Sequence, residues 1–156
     1  MIYRNFLLKC SRSARTFARR KKSLSPHFTR YAGRQTLPPR ELQHIYITSC
    51  YIIEHSNTRF AIDAPTRRRG AVLSAWNPGS YRHSEYTNRK RDRRLLRLLR
   101  GQRWRGMWGG KDTWWERHYW VPELPLELAA RISMTMDQKA FLFLDGRHVR
   151  LIWCYT

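Results

Sequence analysis

The stretch KAFLFLDGRHVRLIW, Lys139 to Trp153, sets two apolar runs on either side of the pair Asp145-Gly146. Asp-Gly between apolar, β-prone runs is among the strongest short-range hairpin signals, so these residues predict two antiparallel strands. Upstream of them, Pro125 opens a helical stretch whose apolar stripe is Leu124, Leu128, Ile132 and Met136 at i, i+4 spacing. WWERHYWV, Trp114 to Val121, alternates like a strand, and RRRGAVLSAW supplies another over Ala71 to Trp76. The turn signal Asn77-Pro78-Gly79 closes the latter, because Pro presets φ and Gly accepts positive φ.

Between these strands, SEYTNRKRDRRLLRLLR (Ser84 to Arg100) reads as a helix. Ser84 suits the N-cap, Glu85 the positive end of the dipole, Leu95, Leu98 and Leu99 share a face, and Gly101 sits at the C′ position. GQRWRGMWGGKDT, Gly101 to Thr113, reads as a Gly- and Trp-containing loop, and the Ile- and Tyr-rich HIYITSCYIIEH, His44 to His55, as a first strand. The order β-β-α-β-α-β-β predicts an α+β fold: a small, mostly antiparallel sheet with two helices packed on it. Residues 41–156 are expected to form that single domain, behind a basic extension over residues 1–40.

The chain carries 31 Lys and Arg against 11 Asp and Glu, a formal charge of +20 in 156 residues, and this points to a polyanionic partner. Aromatic residues make up 13% of it, including seven Trp, so it is not merely a disordered basic tail. Cys10, Cys50 and Cys154 are far apart and form no zinc-type spacing, which predicts inert thiols in a reducing compartment and no metal or other cofactor. The least charged long window, Leu42 to Ile53, falls short of the ~20 apolar residues a membrane span needs.

Ten basic residues and no acid lie between Met1 and Gln35, among them Arg12, Arg15, Arg19, Arg20, Lys21 and Lys22. An Arg- and Ser-rich, acid-free amphipathic N-terminus has the composition of a mitochondrial import signal; a basic nucleic-acid-binding arm is the alternative. Ten like charges repel one another, and backbone phosphates would hold such an arm best. The expectation is therefore an import signal that is retained and serves as a binding extension.

A second basic constellation runs from Arg67 to Arg105, with thirteen basic residues and two acids, Glu85 and Asp92. It includes Arg67, Arg68, Arg69, Arg103 and Arg105. On the helix, Arg89, Arg93, Arg97 and Arg100 form a stripe that Lys90, Arg91 and Arg94 widen. Solvated charged faces normally alternate in sign, and this one does not, which favours phosphate on that face. Arg outnumbers Lys, and its planar fork suits bidentate phosphate contact. Trp104, Trp108 and Trp114 are candidates for stacking on unpaired RNA bases, although core packing is an equal claim on each.

Taken in order, Ser74-Ala75-Trp76-Asn77-Pro78, Asn88, Leu95 and Leu99, Gly109-Gly110, Trp115-Glu116, and Gln138 with Ala140 form a recognisable series. Over about residues 44–153 it resembles a bacterial family of unknown function, the domain numbered 3293. The resemblance departs at Met136-Asp137, where the family has Phe-Gly, and at Lys139, where it has Asn. It implies a fold, with Trp76, Asn77, Pro78, Asn88, Glu116 and Gln138 as family-motif positions, and no catalytic residues.

Asn77, His83, Glu85 and Asn88 can be combined with Glu116, His118 and Gln138 into a polar pocket, but spacing alone shows no convergence. The competing reading has Asn77 capping a turn, Asn88 and Gln138 tying backbone groups together, Trp76 filling core, and Glu85 and Glu116 serving as ion-pair partners. No P-loop, H-E-x-x-H, G-x-S-x-G or dinucleotide fingerprint is present. These features together predict a non-enzymatic accessory protein of the mitochondrial ribosome, located in the matrix. Its expected partners are ribosomal RNA, bound through phosphates, and neighbouring ribosomal proteins, with no small-molecule substrate. A nucleic-acid-processing enzyme built on Asn77, Glu85, Glu116 and Gln138, and a free organellar DNA-binding protein, are the alternatives.

Overall fold

The computed structural model describes residues 40–154. The arm residues Arg12, Arg15, Arg19, Arg20, Lys21 and Lys22 lie outside them. Within residues 40–154 the chain forms helix α1 (Arg40–Thr48), strands β1 (Cys50–Ile53), β2 (Arg59–Phe60) and β3 (Arg69–Ser74), and helix α2 (Glu85–Leu98). Strands β4 (Arg105–Lys111) and β5 (Trp114–Pro122), helix α3 (Leu126–Thr135) and strands β6 (Ala140–Asp145) and β7 (Val149–Trp153) follow. The strands pair antiparallel throughout, in the order β2-β1-β4-β5-β3-β6-β7, so the α+β expectation holds.

The sheet curls until its edges nearly meet. All seven strands contribute to one inner apolar cluster: Tyr51, Ile53, Phe60, Val72, Met107, Trp120, Leu142, Leu144 and Val149. The segment after β2 crosses to the far edge, where Asp63 N–H donates to Val149 O at 2.8 Å and Val149 N–H to Ala64 O at 3.0 Å. Closure of this kind satisfies edge groups that would otherwise be open to pairing. The outer face carries the second cluster, in which Ala71, Leu73, Tyr119, Val121 and Phe141 meet Leu95 of α2 and its C-cap Leu99, and Ala129 and Ile132 of α3 and its C-cap Met136.

Among the described residues three α-helices stand where two were expected. The segment His44–Thr48 belongs to α1, and only Cys50–Ile53 of the anticipated first strand is extended. Thr48 Oγ1 and Ser49 Oγ donate back to the carbonyls of His44 and Ile45, both at 2.8 Å, and end the helix before the strand begins. Tyr46 sets its ring edge-on against Trp153, with centroids 5.2 Å apart, a tertiary contact that outweighs the β preference of the Ile-Tyr-Ile run.

The Gly-rich segment expected as a loop contains β4. Its glycines mark close approach: a methyl group on Gly109 would come within 2.6 Å of Tyr51 and 2.8 Å of His118. Elsewhere the expected elements are present. Ser84 caps α2, accepting from Thr87 N–H at 3.2 Å. Leu95 and Leu99 are buried, whereas Leu98 is 44% exposed and leaves the apolar face. The terminal hairpin closes through Asp145, whose Oδ1 accepts from the N–H groups of Arg147 and His148 at 2.7 Å; Asp145 N–H donates to His148 O at 3.2 Å, so the two linking residues are Gly146 and Arg147, one position beyond the Asp-Gly pair.

Candidate functional site

The elbow after β3 is held by a network of amide side chains. Asn77 adopts the left-handed conformation (φ 46°), which Asn tolerates better than most residues. Its N–H donates to Asn88 Oδ1 at 2.9 Å, Asn88 Nδ2 returns a bond to Asn77 Oδ1 at 3.1 Å, and His83 N–H donates to the same oxygen at 2.9 Å. Gln138 Nε2 donates to Trp76 O at 3.0 Å, while Trp76 Nε1 donates to Asp92 Oδ2 at 2.8 Å. Asn77, Asn88 and Gln138 are buried, and Trp76 is half-buried against Trp108. Backbone tying by these amides is thus the observed arrangement, with one addition: Asn77 Nδ2 reaches Glu116 Oε1 at 2.9 Å.

Glu116 opens the network onto a cavity of about 330 Å³ at one mouth of the curled sheet, beneath α1 and beside the β4–β5 turn. Alternation along β5 places Glu116 and His118 on the same, inward face. Tyr46, Tyr51, Ser80 and Trp114 complete the working lining. Trp114 Nε1 also donates to Glu116 Oε1, at 2.7 Å. No Lys, Arg or His cation among the described residues lies within ion-pair distance of this carboxylate, which corrects the expectation of an ion pair. Burial, only partly offset by Asn77 and Trp114, holds its carboxyl above the usual range.

His118 Nδ1 lies 3.0 Å from Glu116 O; a carbonyl only accepts, so Nδ1 carries the proton and Nε2 is left as an acceptor. Burial keeps the ring neutral by pushing its pKa down to about 4, and burial likewise pushes the Tyr46 hydroxyl up to about 12.

The remaining residues considered for a pocket are placed elsewhere. Glu85 forms an exposed i, i+4 ion pair with Arg89 at 2.5 Å, and the His83 side chain is exposed. Of Asn77, Glu85, Glu116 and Gln138, only Glu116 lines the cavity. Tyr46, Ser80 and Lys111 were not legible as cavity residues, because α1 read as a strand and β4 as a loop.

Both ends of the basic constellation, Arg67 to Arg69 and Arg97 to Arg105, collect at the opposite end of the sheet. Arg105 begins β4 across from Trp120, and Gly70, next to Arg69, pairs with Pro122. The C-terminus of α2 leads into β4 through Gly101–Trp104, which brings Arg97, Arg100 and Arg103 to the same end. Arg67, Arg68, Arg69, Lys90, Arg93, Arg94, Arg97, Arg100, Arg103 and Arg105 are all exposed and have no carboxylate partner among the described residues. Arg68 packs its guanidinium 4.9 Å from the centre of the Trp120 ring.

Arg91 leaves this stripe. Its Nε donates to Ala75 O at 2.9 Å, and its Nη2 donates to Met136 O and lies 3.3 Å from Asp137, so it pins α2 to the end of α3. Of the three Trp considered for stacking, Trp104 is 43% exposed, edge-on to Tyr119; Trp108 donates to Glu54 Oε1 and Trp114 to Glu116.

The family-motif positions therefore lie in or beside one network, with Pro78 in the turn that follows Asn77. Residues 73–141 match the family model described as Protein of unknown function (DUF3293). The match runs from within β3 to the start of β6 and covers less than half of the chain. It contains Trp76, Asn77, Pro78, Asn88, Glu116 and Gln138, supports the resemblance drawn from those residues, and is narrower than the span over which that resemblance was drawn. No curated protein and no solved structure matches the chain.

Among the described residues no helix is long and apolar enough to cross a membrane, and no group of three or more His, Cys, Asp or Glu is placed to hold a metal ion. Burial pushes the Cys154 thiol up to about 12.

Proposed function

We propose that the protein is a structural RNA-binding subunit of the mitochondrial ribosome, docked through phosphate contacts at the arginine-rich end. The observation that carries this reading is the exposed face of α2 and the turn after it, where Lys90, Arg93, Arg94, Arg97 and Arg100 have no carboxylate partner among the described residues. Side by side on one helix, these charges raise one another's energy until a polyanion neutralises them. Arg67, Arg68, Arg69, Arg103 and Arg105 extend the same surface onto the strand ends. Phosphate contacts position a protein on nucleic acid without reading sequence, which suits a subunit whose task is to fill and brace a folded RNA.

The acid-free composition of residues 1–35 supports the mitochondrial assignment and adds a second basic segment, with neighbouring ribosomal proteins as the partners of the remaining surface. Fractionation of mitochondrial lysates on a density gradient tests the proposal. The protein is expected to sediment with a ribosomal subunit, to leave it in high salt, and to shift to light fractions after ribonuclease. Release by detergent alone, or sedimentation that ribonuclease does not change and deoxyribonuclease does, would contradict it.

A further inference from the structure

We infer that the cavity at the mouth of the curled sheet is a binding site for an organic cation bearing N–H donors, a primary ammonium or a guanidinium, held by Glu116. The site is separate from the arginine-rich end and does not rest on the RNA-binding proposal. Glu116 Oε1 already accepts from Asn77 Nδ2 and Trp114 Nε1, so the protein's donors are spent on one oxygen. Oε2 accepts nothing among the described residues, and it is not one of the sealed, unpartnered polar atoms, which are Asp92 Oδ1, Trp120 Nε1 and Ser133 Oγ. The open acceptor thus belongs to a residue that lines the cavity.

None of the Lys and Arg side chains among the described residues forms an ion pair with this carboxylate. Lys111, which lines the cavity, and Arg82, which packs on the lining residue Trp114, are otherwise engaged. Lys111 Nζ donates to Thr48 Oγ1 at 3.1 Å, and Arg82 lies over the Trp114 ring at 5.0 Å. Burying a carboxylate without a cation is costly, and a ligand cation removes that cost on arrival. The rest of the lining suits the same chemistry. Tyr46, Tyr51 and Trp114 offer aromatic surface, which attracts cations. His118 is neutral and cannot repel the ligand, and the paired hydroxyls of Tyr46 and Ser80, 3.2 Å apart, have lone pairs to accept further N–H groups. A volume of about 330 Å³ accommodates a small amine or the end of a long one.

Such a cation has two sources, a free amine or the Arg or Lys side chain of a neighbouring protein. Calorimetric titration of the full-length protein, freed of RNA by high salt, distinguishes them with two probes: agmatine for the free amine, and acetyl-Gly-Arg-Gly-amide for the side chain. Saturable binding of either probe to the native protein, weakened roughly ten- to a hundredfold in Glu116→Gln, is the expected result. The amide oxygen of that variant can still accept from Asn77 and Trp114, so the fold should persist, as a thermal melt will report. Glu85→Gln, which alters an exposed acid away from the cavity, should leave binding unchanged.

The probe that binds names the source. Failure of both probes, or binding that Glu116→Gln does not weaken, overturns the inference. Binding of guanosine monophosphate in their place, dependent on Glu116, would also overturn it, since a neutral base edge would then be the ligand.

Discussion

The two ends of the curled sheet are opposites in charge economy. Along α2 and at one end of the sheet, ten cations are exposed with no carboxylate partner among the described residues; at the other end, a half-buried carboxylate has no cation partner among them. Arg91 shows that the contrast is not a simple surplus of arginine. It sits in the middle of the basic run, yet it turns inward to cap carbonyls at Ala75 and Met136, while its neighbours face out. Local backbone geometry, rather than composition, decides which arginines bind protein and which remain for a polyanion.

The mouth depends on the amide network, so breaking that network gives the largest expected effect. Asn88→Ala removes both bonds to Asn77 and leaves a buried N–H unpaired. Denaturant unfolding should show a loss of about 3 kcal/mol. If the loss is only a few tenths, the elbow is held by something else.

The next effect sharpens the contrast through pH. His118 has its pKa lowered to about 4 in the folded protein, against an ordinary value of 6.5, so the unfolded chain binds the proton more readily. Its contribution is fully present above pH 6.5 and is lost as pH falls through the folded value, by about 3 kcal/mol overall. His118→Gln should flatten the stability profile between pH 6.5 and 4. Glu116 has the opposite sign: its raised carboxyl favours the fold below its ordinary value of 4.5, an advantage lost as pH rises through the folded pKa. A histidine variant with an unaltered profile would place the His118 ring in water.

The smallest effect belongs to the launch of the arginine helix. Ser84→Ala removes the N-cap bond to Thr87 and should cost about 1 kcal/mol in a thermal or denaturant melt. Its effect on RNA affinity should be slight, because the cations lie further along the helix.

Much of this was legible in the residues, and the exceptions have physical reasons. Asp145-Gly146, Ser84 and Pro125 are local signals, and each marks the element boundary it should. Helix α1 was not legible, because its Ile-Tyr-Ile run has strand propensity and the contact that decides it, Tyr46 on Trp153, spans most of the chain. Strand β4 was hidden by glycines whose reason is a neighbour's side chain, Tyr51 or His118 against Gly109. Among the site residues, alternation along β5 already placed Glu116 and His118 on one face. That no described cation pairs with Glu116 is a fact of three dimensions and has no signature in spacing.

The central claim, that the outward arginines of α2 meet phosphate, is tested most directly by the salt dependence of RNA binding. Affinity for a single-stranded RNA should be measured between about 50 and 200 mM salt, for the native protein and for the quadruple variant Arg93→Gln, Arg94→Gln, Arg97→Gln and Arg100→Gln. If each of the four arginines neutralises a phosphate, the slope of log affinity against log salt falls in magnitude by about 3 in the variant, at ~0.7 per contact. A variant with the native slope and the native affinity would contradict the account, since those cations would then be solvated charge and nothing more.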